Sequence, residues 1–348
     1  MTKASSNPTS GEASSGPLPI REWTAVDAAR FREDIVPLGQ PAVLRGLGKE
    51  WPLVRHFNAS PREFVDYLIG LDSGELVMTT IVPPEERGRM VYKDDAKELN
   101  HRNSLEKLPN VLRGLLKLED EALPPGVFIG GLNVAQFPGL ERENCTDLVP
   151  PEDLPHLWIG NAATVSPHFD AADNLAFVVA GRRRFTLFPP DQVGNLYIGP
   201  FDVTPAGLPI SLVSHDEPDL ERYPRFREAL AVAQWTELGP GDAIYIPYLW
   251  WHGVKSLEPL NMLVNFWWYG DEIAAAHPYG ALLRATFELY RDMPPEHRAA
   301  WKHMYDHWVF ATAGDPLAHL PAAQRTAKAN LDNEAVTRFR RAITDLLA

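Results

Sequence analysis

Between residues 156 and 270 the chain is built from short apolar runs separated by Gly, Pro, Asn and Asp. Several short strands with turn residues between them are typical of β-sandwiches and β-barrels. The sequence therefore predicts a mainly β core over residues 156–270. The runs read LWIG, NLAFVVAG, RFTLFPP, AIYIP and NMLVNFWWYG.

The rest of the chain predicts a tail, an α/β extension and a helical end. Residues 1–17 are rich in Ser, Thr, Gly and Pro, which predicts a disordered tail. Residues 190–235 hold several prolines and predict a loop-rich insertion. In the N-terminal extension that precedes the β core, we expect a helix capped near Thr24 and a buried strand over 41–47. A second helix begins with the capping box Ser60-x-x-Glu63 and is followed by a strand over 75–82. Residues 104–117 are expected to be helical at both ends, with a break at Pro109.

From residue 271 to residue 348 the apolar pattern changes to a helical period. Three helices would each carry an aromatic or aliphatic face that must be buried, either at a subunit interface or on the β core. The in-phase residues are Leu283, Phe287 and Tyr290; Trp301, Met304 or Tyr305, and Trp308; and Val336, Phe339, Ile343 and Leu346.

Charge and cysteine content restrict the class of partner. The formal net charge is −13, which argues against general nucleic-acid binding because that needs a basic surface. Cys145 is the single cysteine, so neither an intramolecular disulfide nor a thiolate zinc cluster can form, and we expect a cytoplasmic protein. No apolar run approaches the length of a membrane span.

Three residues suggest a metal site. His168 and Asp170 lie at i and i+2, so both side chains project from the same face of an extended chain. His252 follows the apolar run AIYIP and two tryptophans, and we expect it to be partly desolvated at the end of a buried strand. Alternatives are a chance H-x-D and a core histidine bonded to a carbonyl. Together the three form a 2-His-1-carboxylate set, which non-haem Fe(II) oxygenases use because it leaves coordination positions open.

The triplet Arg182-Arg183-Arg184 contains one candidate for anion binding. In a strand over 183–188, Arg183 is in phase with apolar residues, and a buried guanidinium requires an anion. The alternative for Arg183 is an internal ion pair, and for Arg182 and Arg184 it is solvent exposure. Residues 166–185 would then form one β-hairpin, with the metal ligands at its start and Arg183 on the returning strand.

A second histidine pair, His303 and His307 in HMYDH, lies at i and i+4 of a predicted helix. It lacks the glutamate of H-E-x-x-H, and the neighbouring tryptophans favour packing over metal binding.

The order of these motifs resembles the Jumonji C (JmjC), cupin-like family of Fe(II)- and 2-oxoglutarate-dependent oxygenases, with a layout similar to the asparaginyl hydroxylase of the hypoxia response and bacterial cupin-like proteins. The resemblance covers about residues 156–270 and rests on H-x-D, DNLAFVVAGRRRFTLFPP, PGDAIYIPYLWWH and LVNFWW. It implies a double-stranded β-helix, the cupin jelly roll, within a domain over 18–270, followed by a C-terminal helical region.

The same resemblance implies roles for individual residues. His168, Asp170 and His252 would bind iron. Arg183 stands where the family places a basic residue, often Lys, on the distal carboxylate of 2-oxoglutarate. The remaining positions that the resemblance assigns to the co-substrate pocket are Asn174, Asn265, Thr164 and Val165.

The chain departs from the family pattern at the co-substrate pocket. Pro167 directly precedes His168, so a Thr that contacts the co-substrate in the family falls on Val165. An upstream Tyr of the family is Phe128 here. By analogy, Tyr92 would reach the substrate entrance.

The implied activity is hydroxylation of an unactivated C–H bond in a protein side chain, an amino acid or a small molecule, with Fe(II), 2-oxoglutarate and O₂ as cofactor and co-substrates. Phe177, Trp251 and Trp267 would form apolar walls, and the C-terminal helices would pair into a homodimer. Two alternatives stay open: a non-catalytic metal- or ligand-binding cupin, and a Zn or Mn isomerase or hydrolase on the same fold.

Overall fold

The computed structural model describes residues 16–93, 96–150, 152–205, 209–268, 279–319 and 341. The chain forms two compact units, Met1–His277 and Pro278–Ala348. The first unit contains two large mixed β-sheets with helices around them, so the predicted mainly β jelly roll with flanking helices is confirmed.

The strands of the described residues belong to the first unit. In chain order they are β1 (Leu18–Pro19), β2 (Arg21–Trp23), β3 (Ala42–Leu44), β4 (Leu76–Val82), β5 (Arg89–Met90), β6 (Arg102–Lys107), β7 (Gly126–Asn133), β8 (His156–Gly160), β9 (Thr164–His168), β10 (Asp173–Ala180), β11 (Arg183–Phe188), β12 (Gln234–Leu238), β13 (Ala243–Ile246), β14 (Trp251–Ser256) and β15 (Asn261–Trp268).

The α-helices are α1 (Ala28–Arg30), α2 (Pro52–Ala59), α3 (Pro61–Leu71), α4 (Leu108–Leu118), α5 (Leu140–Glu143) and α6 (Phe226–Val232) in the first unit, and α7 (Tyr279–Tyr290) and α8 (Pro295–Trp308) in the second. A π-helical segment follows α1 at Phe31–Ile35, and 3₁₀ turns lie at Val36–Leu38, Pro84–Glu86, Val134–Gln136 and Pro190–Asn195. In the part of the chain that the structure describes, no helix has both the length and the apolar character needed to cross a bilayer.

The larger sheet has the order β2-β3-β13-β10-β15-β8-β7-β4-β6, and the smaller one β1-β12-β11-β14-β9-β5. Both faces of the larger sheet are covered at its centre. Phe177 of β10 packs in the cluster that includes residues of α2, α3 and α4, whereas Ala176 and Val178 face the smaller sheet. This two-sided burial explains why β10 is an uninterrupted apolar run rather than an alternating strand.

β14 lies between β11 and β9 in the smaller sheet, and this position brings the candidate ligands together. Its residue His252 is paired with His168 of β9 on one side, and Ser256 is paired with Arg183 of β11 on the other. Between His252 and Ser256 the chain advances about 13 Å at strand spacing.

The predicted hairpin over 166–185 is wrong in its pairing. β10 pairs with β13 and β15 in the larger sheet, whereas β11 pairs with β12 and β14 in the smaller one. The turn at Gly181 therefore carries the chain from one sheet to the other. Gly181 has φ +67°, and a Cβ there would lie 2.5 Å from both Asn261 Oδ1 and the Leu260 carbonyl oxygen, so only glycine fits this crossing.

Two local expectations in the extension are corrected. The first helix is capped by Asp27, whose Oδ1 accepts from Arg30 N–H at 2.8 Å, and not near Thr24. Residues 102–107 form strand β6, and Pro109 lies in the first turn of α4, where its missing N–H removes no helical bond. The capping box is confirmed, because Ser60 Oγ accepts from Glu63 N–H at 3.0 Å.

The second unit contains α7 and α8, two of the three expected C-terminal helices. Tyr290 of α7 packs against Trp301 and Tyr305 of α8, with ring centroids 5.3 and 5.8 Å apart. The third expected helix, over Val336–Leu346, and most of the 1–17 tail lie outside the described residues.

Candidate metal and co-substrate site

The three candidate metal ligands converge in the first unit. His168 ends β9, Asp170 follows two residues later, and His252 is the second residue of β14 rather than the end of the preceding strand. One potential ligand atom from each lies within 4.8 Å of the others. His252 Nε2 is 3.6 Å from Asp170 Oδ2, and the two imidazole centroids are 4.2 Å apart. Among the described residues this is the one cluster of three or more His, Cys, Asp or Glu with metal-binding spacing.

Backbone carbonyls orient both imidazoles. His168 Nδ1 lies 3.0 Å from the Ser166 carbonyl oxygen, and His252 Nδ1 lies 3.1 Å from that of Trp250. A carbonyl only accepts, so each Nδ1 carries a proton and Nε2 is the nitrogen of each ring that is available to a metal. Burial and the neighbouring His168 lower the pKa of His252 to about 4, against the attraction of Asp170. At neutral pH the His252 ring is therefore uncharged, as metal binding requires.

Asp170 is held by residues of the larger sheet. Its Oδ2 accepts from Asn174 Nδ2 at 3.0 Å and from Trp267 Nε1 at 3.1 Å. Asn265 Nδ2 donates in turn to Asn174 Oδ1 at 3.1 Å, and Trp158 Nε1 donates to Asn265 Oδ1 at 2.6 Å. The two asparagines that the sequence assigned to the co-substrate pocket thus form a chain that fixes the carboxylate.

A β-bulge explains the unusual position of Pro167. In the pairing of β14 with β9, the one residue between His252 and Val254 opposes the two residues between His168 and Val165. The extra residue lies in the Ser166-Pro167 step and places Val165 and His168 on the same side. Both line the cavity described below, whereas Thr164 is buried and does not line it.

Arg183 is buried opposite Ser256, at the other end of β14 from His252, and has no carboxylate partner among the described residues. It is 4% exposed, and its Nη2 donates to the Trp158 carbonyl oxygen at 3.1 Å. Its Nε is buried with no hydrogen-bond partner, and no Asp or Glu of the described chain forms an ion pair with it. Burial lowers the pKa of Arg183 to about 9, which leaves it positively charged at neutral pH. The internal ion pair considered from the sequence is therefore absent among the described residues.

The neighbouring arginines point outward, as expected. Arg182 Nε donates to Glu258 at 2.6 Å, and Arg184 Nε donates to Glu237 at 3.0 Å. Both guanidinium side chains are about half exposed, so these pairs contribute little to stability.

The candidate residues open into one cavity of about 570 Å³, a size typical of small-molecule sites. The larger sheet forms one wall, and β9, β11 and β14 form the other. Of the three apolar wall residues expected from the sequence, Trp267 lines the cavity, whereas Phe177 faces the helices and Trp251 packs against Phe169 and other residues behind β14. Phe177 was misplaced because β10 buries both of its faces.

Several lining residues were not identified from the sequence, among them His101, His156, Trp158 and Ser256. The alternation in HLWIG would have indicated His156 and Trp158, since Leu157 and Ile159 are core residues and the residues between them must face the other side. Ser256 is identified only by its pairing with Arg183 across the sheet.

The second histidine pair, His303 and His307, lies on α8, where the His307 ring packs against Trp308 at 4.9 Å. Tyr92 does not line the cavity. Its hydroxyl donates to the Val203 carbonyl oxygen at 2.8 Å and so attaches the insertion to the extension.

The insertion also packs a histidine against the back of β14. His215 is buried, and neither of its ring nitrogens has a hydrogen-bond partner. A Cβ on Gly253 would lie 2.4 Å from His215 Nδ1, so glycine next to His252 makes room for this ring. Asp216 pairs with Lys255 of β14 at 2.7 Å and holds the same segment in place.

The free energy of unfolding is expected to fall between pH 6.5 and pH 4 because of His215. Burial lowers its pKa from 6.5 to about 4; the nearby Asp216 raises the pKa by a smaller amount, and Lys255 lowers it further. In this window the unfolded chain binds a proton that the folded chain excludes, so stability is complete above pH 6.5 and is lost as the pH falls. The full effect is on the order of 3 kcal/mol.

Urea unfolding of the wild type and of His215→Leu at pH 7.5 and pH 5 measures this effect. The variant should lose less stability on acidification than the wild type, because Leu has no proton to gain. Equal losses in the two proteins would contradict the assignment.

Comparison with known proteins identifies the family. A family model described as a cupin-like domain matches residues 28–272, and relatives include a JmjC domain-containing protein of Dictyostelium discoideum, 34% identical over 127 residues. The chain belongs to the JmjC-like family of cupin-like domains. This membership agrees with the resemblance carried by the motifs, and it makes the jelly roll a fold of the 2-oxoglutarate-dependent oxygenase type.

Three relatives show how far the likeness extends. HSPB1-associated protein 1 of Homo sapiens is 35% identical over 170 residues, which are 47% of this chain and 32% of that protein. Lysine-specific demethylase JMJ31 of Arabidopsis thaliana is 38% identical over 117 residues, 33% of this chain and 21% of that protein. tRNA wybutosine-synthesizing protein 5 of Danio rerio is 26% identical over 318 residues, 81% of this chain and 89% of that protein. The chain thus spans about a third of the length of the human relative.

Proposed function

We propose that this cupin-like domain is an Fe(II)- and 2-oxoglutarate-dependent oxygenase that hydroxylates an unactivated C–H bond. The observation that supports this most is the presence, in one cavity, of a His168–Asp170–His252 cluster and of a buried Arg183 cation without a carboxylate partner. Two neutral imidazoles and one carboxylate are the donor set that suits iron with open coordination positions. The guanidinium suits a carboxylate of the co-substrate.

Each residue has a role that follows from its contacts. His168 and His252 would bind the metal through Nε2, since their Nδ1 atoms are held by carbonyls. Asp170 would bind through a carboxylate that Asn174 and Trp267 keep in place. Iron, when bound with 2-oxoglutarate and O₂, supplies the oxidising chemistry. The protein supplies orientation and an apolar enclosure that limits access of water.

The co-substrate would lie along β14 between the metal ligands and Arg183. Ser256, paired with Arg183 in the sheet, provides a hydroxyl at that end of the cavity. Val165 and Phe128 add apolar contact where the family often has hydroxyl groups. The charge of Arg183 would therefore contribute more to binding the co-substrate carboxylate in this chain than in relatives with those hydroxyl groups. Thr164 would affect co-substrate binding only indirectly, by helping to position β9.

The substrate is proposed to be a protein side chain, an amino acid or a small molecule. The name of the human relative associates that protein with HSPB1, and the name of the Arabidopsis relative describes a lysine-specific demethylase; these names support a protein as substrate or partner. We propose a cytoplasmic location, from the single exposed Cys145, and no nucleic-acid partner, from the net charge of −13. A binding assay with tRNA tests the latter, because one relative is named for tRNA modification.

Succinate release from 2-oxoglutarate tests the proposed activity. The full chain, loaded anaerobically with Fe(II), should bind 2-oxoglutarate by calorimetry and release succinate after O₂ is admitted. Binding of metal without binding of 2-oxoglutarate would instead favour the non-catalytic cupin. Zn or Mn in protein purified without added metal, together with activity that survives Arg183→Ala, would favour the isomerase or hydrolase.

We also propose that the second unit associates with a second copy of the chain. α7 and α8 expose large apolar side chains: Leu283 at 53%, Phe287 at 46%, Trp301 at 44%, Met304 at 49% and Trp308 at 52%. Light scattering of the wild type should give twice the monomer mass, and Trp301→Lys with Trp308→Lys should give the monomer. Leu105→Lys, an equally exposed change on β6 of the first unit, serves as control. A monomeric wild type would contradict this proposal.

A further inference from the structure

The hydrogen-bonded chain that ends on the candidate ligand Asp170 begins at Trp158. The indole Nε1 of Trp158 donates to Asn265 Oδ1 at 2.6 Å, and Asn265 Nδ2 donates to Asn174 Oδ1 at 3.1 Å. Asn174 Nδ2 then donates to Asp170 Oδ2 at 3.0 Å. An indole N–H can only donate, and an ionised carboxylate can only accept. The two ends therefore require the same direction, in which each amide donates toward the carboxylate.

The direction matters because a primary amide that turns end for end exchanges its oxygen and its nitrogen within nearly the same space. Asn265 is 1% exposed and Asn174 is 5% exposed, so both are largely shielded from water that could compensate for a lost partner. A turned Asn265 would bring its Nδ2 against the indole N–H of Trp158, donor against donor. A turned Asn174 would bring its Oδ1 against the Asp170 carboxylate. The indole N–H thus keeps Asn265 in place, and Asn265 keeps Asn174 in place.

Trp158 is itself held from both sides of the cavity. Arg183 Nη2, from the smaller sheet, donates to the Trp158 carbonyl oxygen at 3.1 Å. The Trp158 ring lies near those of Phe128 and Trp267, with centroids 6.0 and 5.9 Å apart. Trp267 is also the second donor to Asp170 Oδ2. One residue therefore contacts the cation proposed for the co-substrate and begins the hydrogen-bonded chain to the candidate metal ligand.

We propose that Trp158 is a positioning residue for the metal site. Its indole N–H fixes the amide orientation of Asn265 and, through it, of Asn174, so that the Asp170 carboxylate receives an N–H and keeps one position. Its main-chain carbonyl accepts from Arg183, so the same residue links the metal ligand to the co-substrate cation. The inference rests on the proposed function only for the presence of a metal at this cluster.

The metal affinity of two tryptophan variants measures this role. Trp158→Phe keeps an aromatic ring and the main-chain carbonyl but removes the indole N–H. Zn(II) affinity of the full chain, measured by competition with a chromophoric chelator, should fall about three- to tenfold, the worth of one hydrogen bond. Trp51→Phe is the matched control, because Trp51 is 7% exposed and stacks on Phe177 in the core that faces the helices. It should leave Zn(II) affinity unchanged.

A double-mutant cycle separates positioning from general destabilisation. If Trp158 acts through Asn265, then Trp158→Phe should cause no further loss of Zn(II) affinity in an Asn265→Ala background. Two independent effects would add. Circular dichroism checks that each variant is folded.

NMR of the wild type gives a reading that does not require the Trp158 variant to fold. Addition of Zn(II) should shift the indole N–H signal of Trp158, which is assigned from its proximity to the rings of Phe128 and Trp267. The shift should be strongly reduced in Asn265→Ala, because that change interrupts the hydrogen-bonded chain between the indole and Asp170.

Four results would overturn the inference: unchanged Zn(II) affinity in folded Trp158→Phe, an equal loss in Trp51→Phe, additive losses in the double variant, or an indole signal of Trp158 that Zn(II) does not shift. A wild type that binds no Zn(II) would overturn it together with the metal site. Failure of the proposed function beyond the metal site is seen separately, as absence of 2-oxoglutarate binding by calorimetry, because none of these measurements uses 2-oxoglutarate.

Discussion

Arg183→Met is expected to abolish 2-oxoglutarate binding and, at the same time, to stabilise the ligand-free fold. In the absence of ligand the Arg183 guanidinium is buried with one carbonyl contact and an unpartnered Nε. Methionine has a similar length and an apolar chain that can occupy the same space. Replacing buried ionic groups by apolar residues of similar volume often stabilises a protein, by about 1–4 kcal/mol.

The binding loss follows from the same burial. Without Arg183 the distal carboxylate of 2-oxoglutarate would enter a desolvated position with no cation, at a cost of about 2–5 kcal/mol, or more than about 30-fold in Kd. Calorimetry measures the Kd, and thermal unfolding of ligand-free protein measures stability, with an expected rise of at least about 2 °C. Arg184→Met, its exposed neighbour paired with Glu237, should leave both quantities nearly unchanged. A lower Tm together with unchanged 2-oxoglutarate affinity would show that Arg183 is a structural residue.

Asp170→Ala is expected to remove Fe(II) binding, with the fold intact. Asp170 is the one carboxylate of the cluster, and the charge balance of a site with two neutral imidazoles depends on it. Even partners that only orient a ligand change metal affinity by about 10–100-fold when they are removed, so loss of the ligand itself should exceed about 100-fold. Anaerobic calorimetry with Fe(II) measures the affinity, and circular dichroism measures the fold.

Two further variants test whether the loss of Fe(II) affinity depends on how firmly Asp170 is held. Asn174→Ala and Trp267→Phe each remove one of the hydrogen bonds to Asp170 and keep the carboxylate. Each should weaken Fe(II) binding by an intermediate factor, about 10–100-fold. Wild-type affinity in Asp170→Ala would reject the metal site, and equal losses in all three variants would indicate damage to the fold.

The sequence predicts the residues of this site better than their arrangement. Spacing alone placed His168 and Asp170 on one side of the chain, and phase alone placed Arg183 inside, because both follow from the two-residue period of a strand. The pairing of His252 with His168 is non-local and depends on sheet order. Turn residues cannot indicate whether consecutive strands share a sheet, which is why the sequence predicts a hairpin where β10 and β11 in fact belong to different sheets.

The misplaced and missed residues have the same physical origin. Phe177 lies in a strand buried on both faces, so hydrophobicity does not distinguish its inner side from its outer side. The alternation in β8 indicates that His156 faces away from the core residues Leu157 and Ile159, but it does not indicate that a cavity lies on that side. The bulge at Pro167 shifts Val165 into the cavity, and no local propensity predicts that shift.

The alternation of the chain between the sheets has a consequence for dynamics. His168, His252 and Arg183 belong to the smaller sheet, whereas the groups that hold Asp170 and Arg183, including Asn174, Trp267 and the Trp158 carbonyl, belong to the larger one. A metal and a co-substrate bound here would cross-link the two halves of the sandwich. Loading the site should therefore slow amide hydrogen exchange in β8, β10 and β15 as well as in β9 and β14, so that protection spreads well beyond the residues in contact with the ligand.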